Sequence, residues 1–474
     1  MVQTPTAQSP TIQPSYLADF RSLESTLAAN GSQWFHPVRE HALSRFLSLG
    51  FPTARRGNER WKYTSVSPIA EASFHYPIAT SANGIHATDL QQALPWSDSW
   101  INLVFVNGHF SHLLSSAPMG SEGLEVATLA EAMKTHKDEI QKHLAHYARF
   151  ENEPFTALNT AFLRDGAFIR VADGTTTKRT VHLIFVATDL DQPSVSYPRA
   201  LVIAGKGSQL TLIESYVGLP KARSFTNSVT ELVVGEGAQV DHYRLLRERP
   251  ESLHVGTTWV YQERDSSFSS AFFALGGTAL ARNNIHVLLD GQGSSSLLKG
   301  LYVTRDRQHI DNFINIDHAK PHTSSRLYYK GILDGRAEAV FGGTVMVRKN
   351  AQKVDAKQSD KNLLLSNESE VNSKPALLIY NDDVKCGHGA TAGHMDENSL
   401  FYLRSRGLDL KTAVTFLIHG FANEVIEAAQ PEPLREYLDR WILGAIATEG
   451  LGDDFPLARA LPTEAPRFQY GGKP

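Results

Sequence analysis

Cys386 and His388 form a Cys-x-His pair within the run Asn381-Asp382-Asp383-Val384-Lys385-Cys386-Gly387-His388-Gly389-Ala390-Thr391. Cys386 is the only cysteine among 474 residues. That excludes disulfides within the chain and any zinc site that needs two thiolates. On an extended segment, residues two apart project from one face, so thiol and imidazole point the same way. A soft and a borderline ligand side by side suit a metal, and a thiol beside an imidazole also suits nucleophilic catalysis. Two ligands do not complete a metal shell, so the remainder has to come from elsewhere in the fold or from a partner chain. On spacing alone, a small buried cysteine beside a hydrogen-bonded histidine is the commoner outcome.

Two other groups carry possible chemistry. His309, Asp311, Asp317, His318 and His322 offer nitrogen and carboxylate ligands at a density a metal could use. The outer face of stacked β-coils explains them at least as well. Asp382 and Asp383 are adjacent, so on a strand they face opposite ways and make a poor acid/base pair; capping suits them better. The common catalytic signatures are missing. There is no G-x-x-x-x-G-K-[ST], no G-x-G-x-x-G after a strand, no G-x-S-x-G and no H-E-x-x-H.

Composition narrows the class. Hydrophobic residues make up 42% and charged residues 20%, as in ordinary globular proteins. Net charge is 46 − 50 = −4, which argues against nucleic acid or an anionic membrane surface as partner. No apolar run is long enough to span a membrane. The first twenty residues hold one charge, Asp19, without the basic start of a secretory signal or the arginines of a transit peptide. Residues 1–14 are therefore expected to be a disordered tail, and the protein to be cytoplasmic with a reduced thiol.

Residues 15–165 read as a helical, mixed region. Leu17, Phe20, Leu23 and Leu27 recur at helical spacing up to Asn30-Gly31. A second helix begins at Pro37 and ends at Gly50, a strand runs Ile101 to Val106, and a further helix runs from about Leu129 to Tyr147. From about residue 166 to 394 the pattern alternates, with strands at His182–Ala187, Ala200–Ala204, Leu210–Val217, Val229–Val234, Val240–Leu245 and Ile285–Leu289. Glycine turns begin at Gly205, Gly235 and Gly291, with a looser copy at Asp334–Ala339. A period of 20 to 30 residues predicts a β-solenoid, with a β-sandwich as the competing architecture. Residues 395–450 return to helical spacing. Asp409 can cap a helix whose apolar stripe is Val414, Leu417, Ile418, Phe421 and Val425. Residues 451–474 read as a flexible tail.

Several segments together resemble one known family. Asp383–Thr391, followed by Leu400-Phe401-Tyr402-Leu403-Arg404-Ser405-Arg406-Gly407, is similar to the C-terminal signature of the SufB/SufD family, on its SufD side. Tyr329-Lys330-Gly331, Val340-Phe341-Gly342-Gly343, Lys361–Ser366 and, near the start, Glu59-Arg60-Trp61-Lys62-Tyr63-Thr64 resemble other segments of that family. The resemblance implies a right-handed parallel β-helix between an N-terminal helical region and a C-terminal helical domain. It implies a non-catalytic scaffold for iron–sulfur cluster assembly. SufB would pair through the β-helix, and a SufC ABC-type ATPase would bind the C-terminal helices, with the Val414–Val425 stripe as its contact. A homodimer is implied where SufB is absent. His388 would supply a nitrogen to a nascent Fe–S cluster shared with SufB, helped less directly by Cys386, and no cofactor would be held permanently by this chain alone. Gly387 departs from the serine common in that signature. Two other classes stay open on the residues alone: a β-helix carbohydrate-active enzyme, which needs an acidic cleft, and a Cys–His hydrolase, which needs an acidified thiol.

Overall fold

A computed structural model describes residues 15–27, 33–78, 84–116 and 120–449. The expected tails at 1–14 and 451–474, and the Asn30-Gly31 stop, lie outside these residues. Two sheets, of 10 and 11 strands, take alternate strands of the chain from Ala167 to Gly393. Each strand pairs in parallel with the equivalent strand one coil later. In one sheet Gln239, Ser267, Ser295, Ser324, Asp355 and Lys385 stack in register. Their separations of 28, 28, 29, 31 and 30 residues define the coil. This is a parallel β-helix, not a sandwich.

The glycine turns mark two different edges of that helix. Gly205, Gly235 and Gly291 each follow a strand of the 11-stranded sheet, whereas Asp334–Ala339 lies between Ser324–Leu333 and Glu338–Val347, on the opposite edge. The 44 residues from Gly291 to Gly335 are therefore one and a half coils, not two short ones. At Gly207, Gly237 and Gly335 φ lies near +65°, a region where other residues are strained.

Alternation directs Leu298, Leu327, Ala356, Phe341 and Val345 into the lumen, where they join one continuous core. Each buried aliphatic contributes about 1.5–3 kcal/mol. The N-terminal helices around Tyr16, Phe46 and Phe155 pack on the 11-stranded sheet, whereas Ile101–Val106 joins the 10-stranded sheet. Helix Ser15–Leu27 buries Tyr16, Phe20, Leu23 and Leu27, while Leu17, expected inward, is exposed. The stretch from Leu129 breaks into two short helices, Leu129–Thr135 and Lys137–His143, because His136 leaves the helical region at φ −126°, ψ 39°. Beyond it, the buried Glu231 carboxylate accepts from the backbone N–H groups of Ala145 (2.9 Å), Tyr147 (3.1 Å) and Ala148 (2.9 Å), and pairs with buried Arg199.

Asp396 and Asp409 cap their helices through the N–H groups of Ser399 (2.8 Å) and Thr412 (3.0 Å). Helix Leu410–Ile426 then lies on the outer face of the 10-stranded sheet. Val414, Ile418 and Val425 are fully buried, with Leu417 and Phe421 partly so, against a core that includes Leu301, Ile332 and Leu363. The stripe expected to meet a partner is thus spent within the chain, because that face of the sheet is itself apolar and needs cover. Lys330 reinforces the seam, donating to Phe421 O (2.7 Å) and pairing with Glu424 (2.8 Å). Among the described residues no helix is long and apolar enough to cross a membrane.

Candidate functional site at the open end of the β-helix

Strands Glu370–Ile379 and Val384–Gly393 each end their sheet. Both pair on one side only, so each presents a free row of N–H and C=O groups. Exposed Leu378, Ile379 and Tyr380 lie beside this end. Solenoids normally cap such an end with polar residues; here the last coil exposes apolar ones.

Val384 and Cys386 pack against the lumenal core, and alternation places His388 in the same inward row. Cys386 stacks on Ala356 and His388 on Gln358 one coil earlier. The pair therefore sits at the mouth of the lumen, with Cys386 half-buried and His388 exposed. Burial pushes the Cys386 thiol up from its ordinary value, the wrong direction for a nucleophile. A Cβ built at Gly387 meets nothing within 4 Å, so this position has room for the serine that the family signature carries.

Beneath the mouth lies a polar layer that the sequence reading missed. Gln358 Oε1, Asp360 Oδ1 and Ser373 Oγ are buried without hydrogen-bond partners. Asn362 donates to Asp360 Oδ2 at 2.8 Å, yet burial pushes the Asp360 carboxyl up to about 6. A signal for Gln358 existed, since stepping back one coil of 30 residues from His388 reaches it.

The His309 group does not converge. His309 contacts Glu338 (3.2 Å) and Thr64 (3.1 Å), Asp311 pairs with Arg282, and Asp317 with Arg348 (2.7 Å). His318 is buried between Thr323 (2.7 Å) and Ser325 (2.9 Å), and burial lowers its pKa to about 4. Asp383 pairs with Lys353 at a turn (2.9 Å). No three His, Cys, Asp or Glu side chains among the described residues form a metal-holding group. The only thiol and its neighbouring imidazole thus lie together at an uncovered sheet edge.

A family model described as the SUF system FeS cluster assembly SufBD core domain matches residues 185–421, and one for the SufBD N-terminal region matches residues 10–183. This chain belongs to the SufBD family. It is 30% identical to the iron–sulfur cluster assembly protein SufD of Escherichia coli, over 85% of this chain and 94% of the relative. It is 31% identical to a SufBD family protein of Synechocystis, over 82% and 86%, and 29% identical to the chloroplastic protein ABCI7 of Arabidopsis thaliana, over 93% and 92%. The SufBD core match spans most of the β-helix and the helix carrying the stripe, and the family expected from the motifs is the one found.

Proposed function

We propose that this chain is a SufD-type scaffold that completes a cluster-building site only when a SufB-type partner joins the open end of its β-helix. The observation that carries this reading is the coincidence of two unpaired sheet edges with Cys386 and His388 in the inward row of the last strand. Pairing by strand addition would satisfy the free backbone groups and cover Leu378, Ile379 and Tyr380. The partner would supply the missing sulfur ligands. His388 would offer a neutral imidazole nitrogen, and iron and sulfide would assemble on the shared set as cargo; mixed nitrogen and thiolate ligation holds clusters differently from four thiolates. Without SufB, the same edges would pair with a second copy.

The C-terminal helices expose Phe401, Tyr402 and Phe416, and on this reading these aromatics meet the SufC-type ATPase. The buried stripe holds the helix of Phe416 on the 10-stranded sheet, so ATP-driven movement of SufC would be transmitted to the β-helix through Lys330 and Glu424. Among the described residues, the five carboxylates lining the groove over the 11-stranded sheet, Glu59, Glu153, Asp290, Asp311 and Asp317, all sit in ion pairs, so they do not form a free acidic cleft.

The test is cluster formation on the reconstituted complex, followed by its visible absorbance. His388→Ala should leave complex assembly intact on size exclusion while slowing cluster build-up at least about tenfold, the ~1.4 kcal/mol of one lost ligand contact. Assembly at the unchanged rate would refute the ligand role; loss of the complex itself would instead place His388 in the interface.

A further inference from the structure

A groove of about 980 Å³ runs along the outer face of the 11-stranded sheet, on the side away from the C-terminal helices. Its floor is five strands in register. Trp259, His286, Asn315, Thr344 and Ala376 form one row, and Tyr261, Leu288, Asp317, Met346 and Leu378 the next. Its walls come from the N-terminal region, Glu59–Tyr63 on one side and Lys142–Glu153 on the other. The volume lies within the range of small-molecule sites. Apart from Leu378 at its open end, nothing in the scaffold role uses it.

The floor holds unmet hydrogen-bonding capacity. His286 lies flat on Trp259, with ring centroids 4.0 Å apart and planes 13° from parallel. Asn315 Nδ2 donates to His286 Nδ1 at 3.2 Å, which leaves the proton on Nε2. Burial holds this imidazole neutral, with its pKa lowered to about 3. His286 Nε2, Trp259 Nε1 and Arg60 Nε are all buried donors without partners, against one orphaned acceptor, Asp311 Oδ1. An unmet buried donor is costly, and all three belong to residues that line the groove. Charge agrees. The lining carboxylates are all paired, whereas Lys142 and Arg149 form no ion pair with a described residue. Tyr147 and Tyr261, 5.2 Å apart, add further aromatic surface at that end.

We propose that this groove binds a small anionic molecule with a planar, acceptor-bearing ring. The ring lies against the Trp259–His286 step, beside the donors that lack partners. Its anionic group reaches Lys142 and Arg149. Stacking on aromatic faces adds affinity beyond area burial, and the two rim cations attract the anionic group.

The probe is 8-anilinonaphthalene-1-sulfonate, a planar ring system with one sulfonate, titrated into the full chain and read by its fluorescence and by energy transfer from tryptophan. One saturable site is expected. The double variant Lys142→Glu/Arg149→Glu changes only exposed residues, so its fold is retained; it should weaken binding about tenfold while leaving the neutral analogue N-phenyl-1-naphthylamine unaffected. Trp259→Leu should weaken both probes and remove most of the energy transfer. Unchanged binding in both variants would overturn the proposal. So would displacement of the probe on forming the complex with a SufB-type partner, because the groove would then belong to a protein segment.

Discussion

Glu231 accepts from three backbone N–H groups of the wall formed by Lys142–Glu153, and its replacement tests how that wall is held. Its carboxylate and the Arg199 guanidinium are both fully buried. Arg199 also donates to Asn159 Oδ1 (3.0 Å) and Thr160 Oγ1 (3.2 Å), while its Nε has no partner. In Glu231→Leu the guanidinium stays buried without its counter-ion, which costs about 3–5 kcal/mol. Three backbone N–H groups lose their acceptor as well. Ala145 and Tyr147 are half-buried and can turn to water, whereas Ala148 is fully buried, adding roughly 1–3 kcal/mol. The sum is about 4–8 kcal/mol, large enough to detach the segment before the β-helix unfolds. Hydrogen exchange resolves the two parts: the amides of Ala145, Tyr147 and Ala148 should lose protection, while lumenal amides of strands such as Ser295–Thr304 keep it. The double variant Arg199→Met/Glu231→Leu removes the stranded charge and should recover roughly half of the loss. A single variant costing under about 1 kcal/mol, or a double variant no better than the single, would refute this account of the pair.

Asp360 gives a pH test. Its carboxyl is pushed up to about 6 by burial, against about 3.9 in an unfolded chain. The folded state therefore binds more protons between these values, so stability falls as pH rises from about 4 to 6 and stays lower above, by about 3 kcal/mol. Asp360→Asn should raise the melting temperature at pH 8 and give little gain at pH 4; equal shifts at both would show that the buried charge is not the cause. Cys386, half-buried with its thiol pushed up, should react with iodoacetamide at pH 7.5 more slowly than a free cysteine in a peptide. Faster alkylation would restore the Cys–His nucleophile as a reading.

The strand pattern, the glycine turns and the return to helical spacing after Met395 were all legible because period is a local property of the chain. The N-cap at Asp409 was legible for the same reason: cap and helix lie within four residues. The coil length was harder. The Asp334–Ala339 turn looks like the others in sequence, yet it belongs to the opposite edge of the helix, and only strand pairing distinguishes the two edges.

What the sequence determined by itself is a β-solenoid between two helical regions, one thiol two residues from an imidazole, and membership of the SufBD family through motifs along most of its length. Tertiary structure decided what those residues face. It placed Cys386 and His388 on the last strand of a sheet, where nothing further among the described residues covers them. It turned the Val414–Val425 stripe inward because the sheet beneath was apolar, leaving Phe401, Tyr402 and Phe416 outside. It also brought Trp259, His286 and Arg60 together from segments up to some 226 residues apart. Burial and adjacency across coils depend on which strands stack, and that is fixed by long-range register that no local pattern encodes.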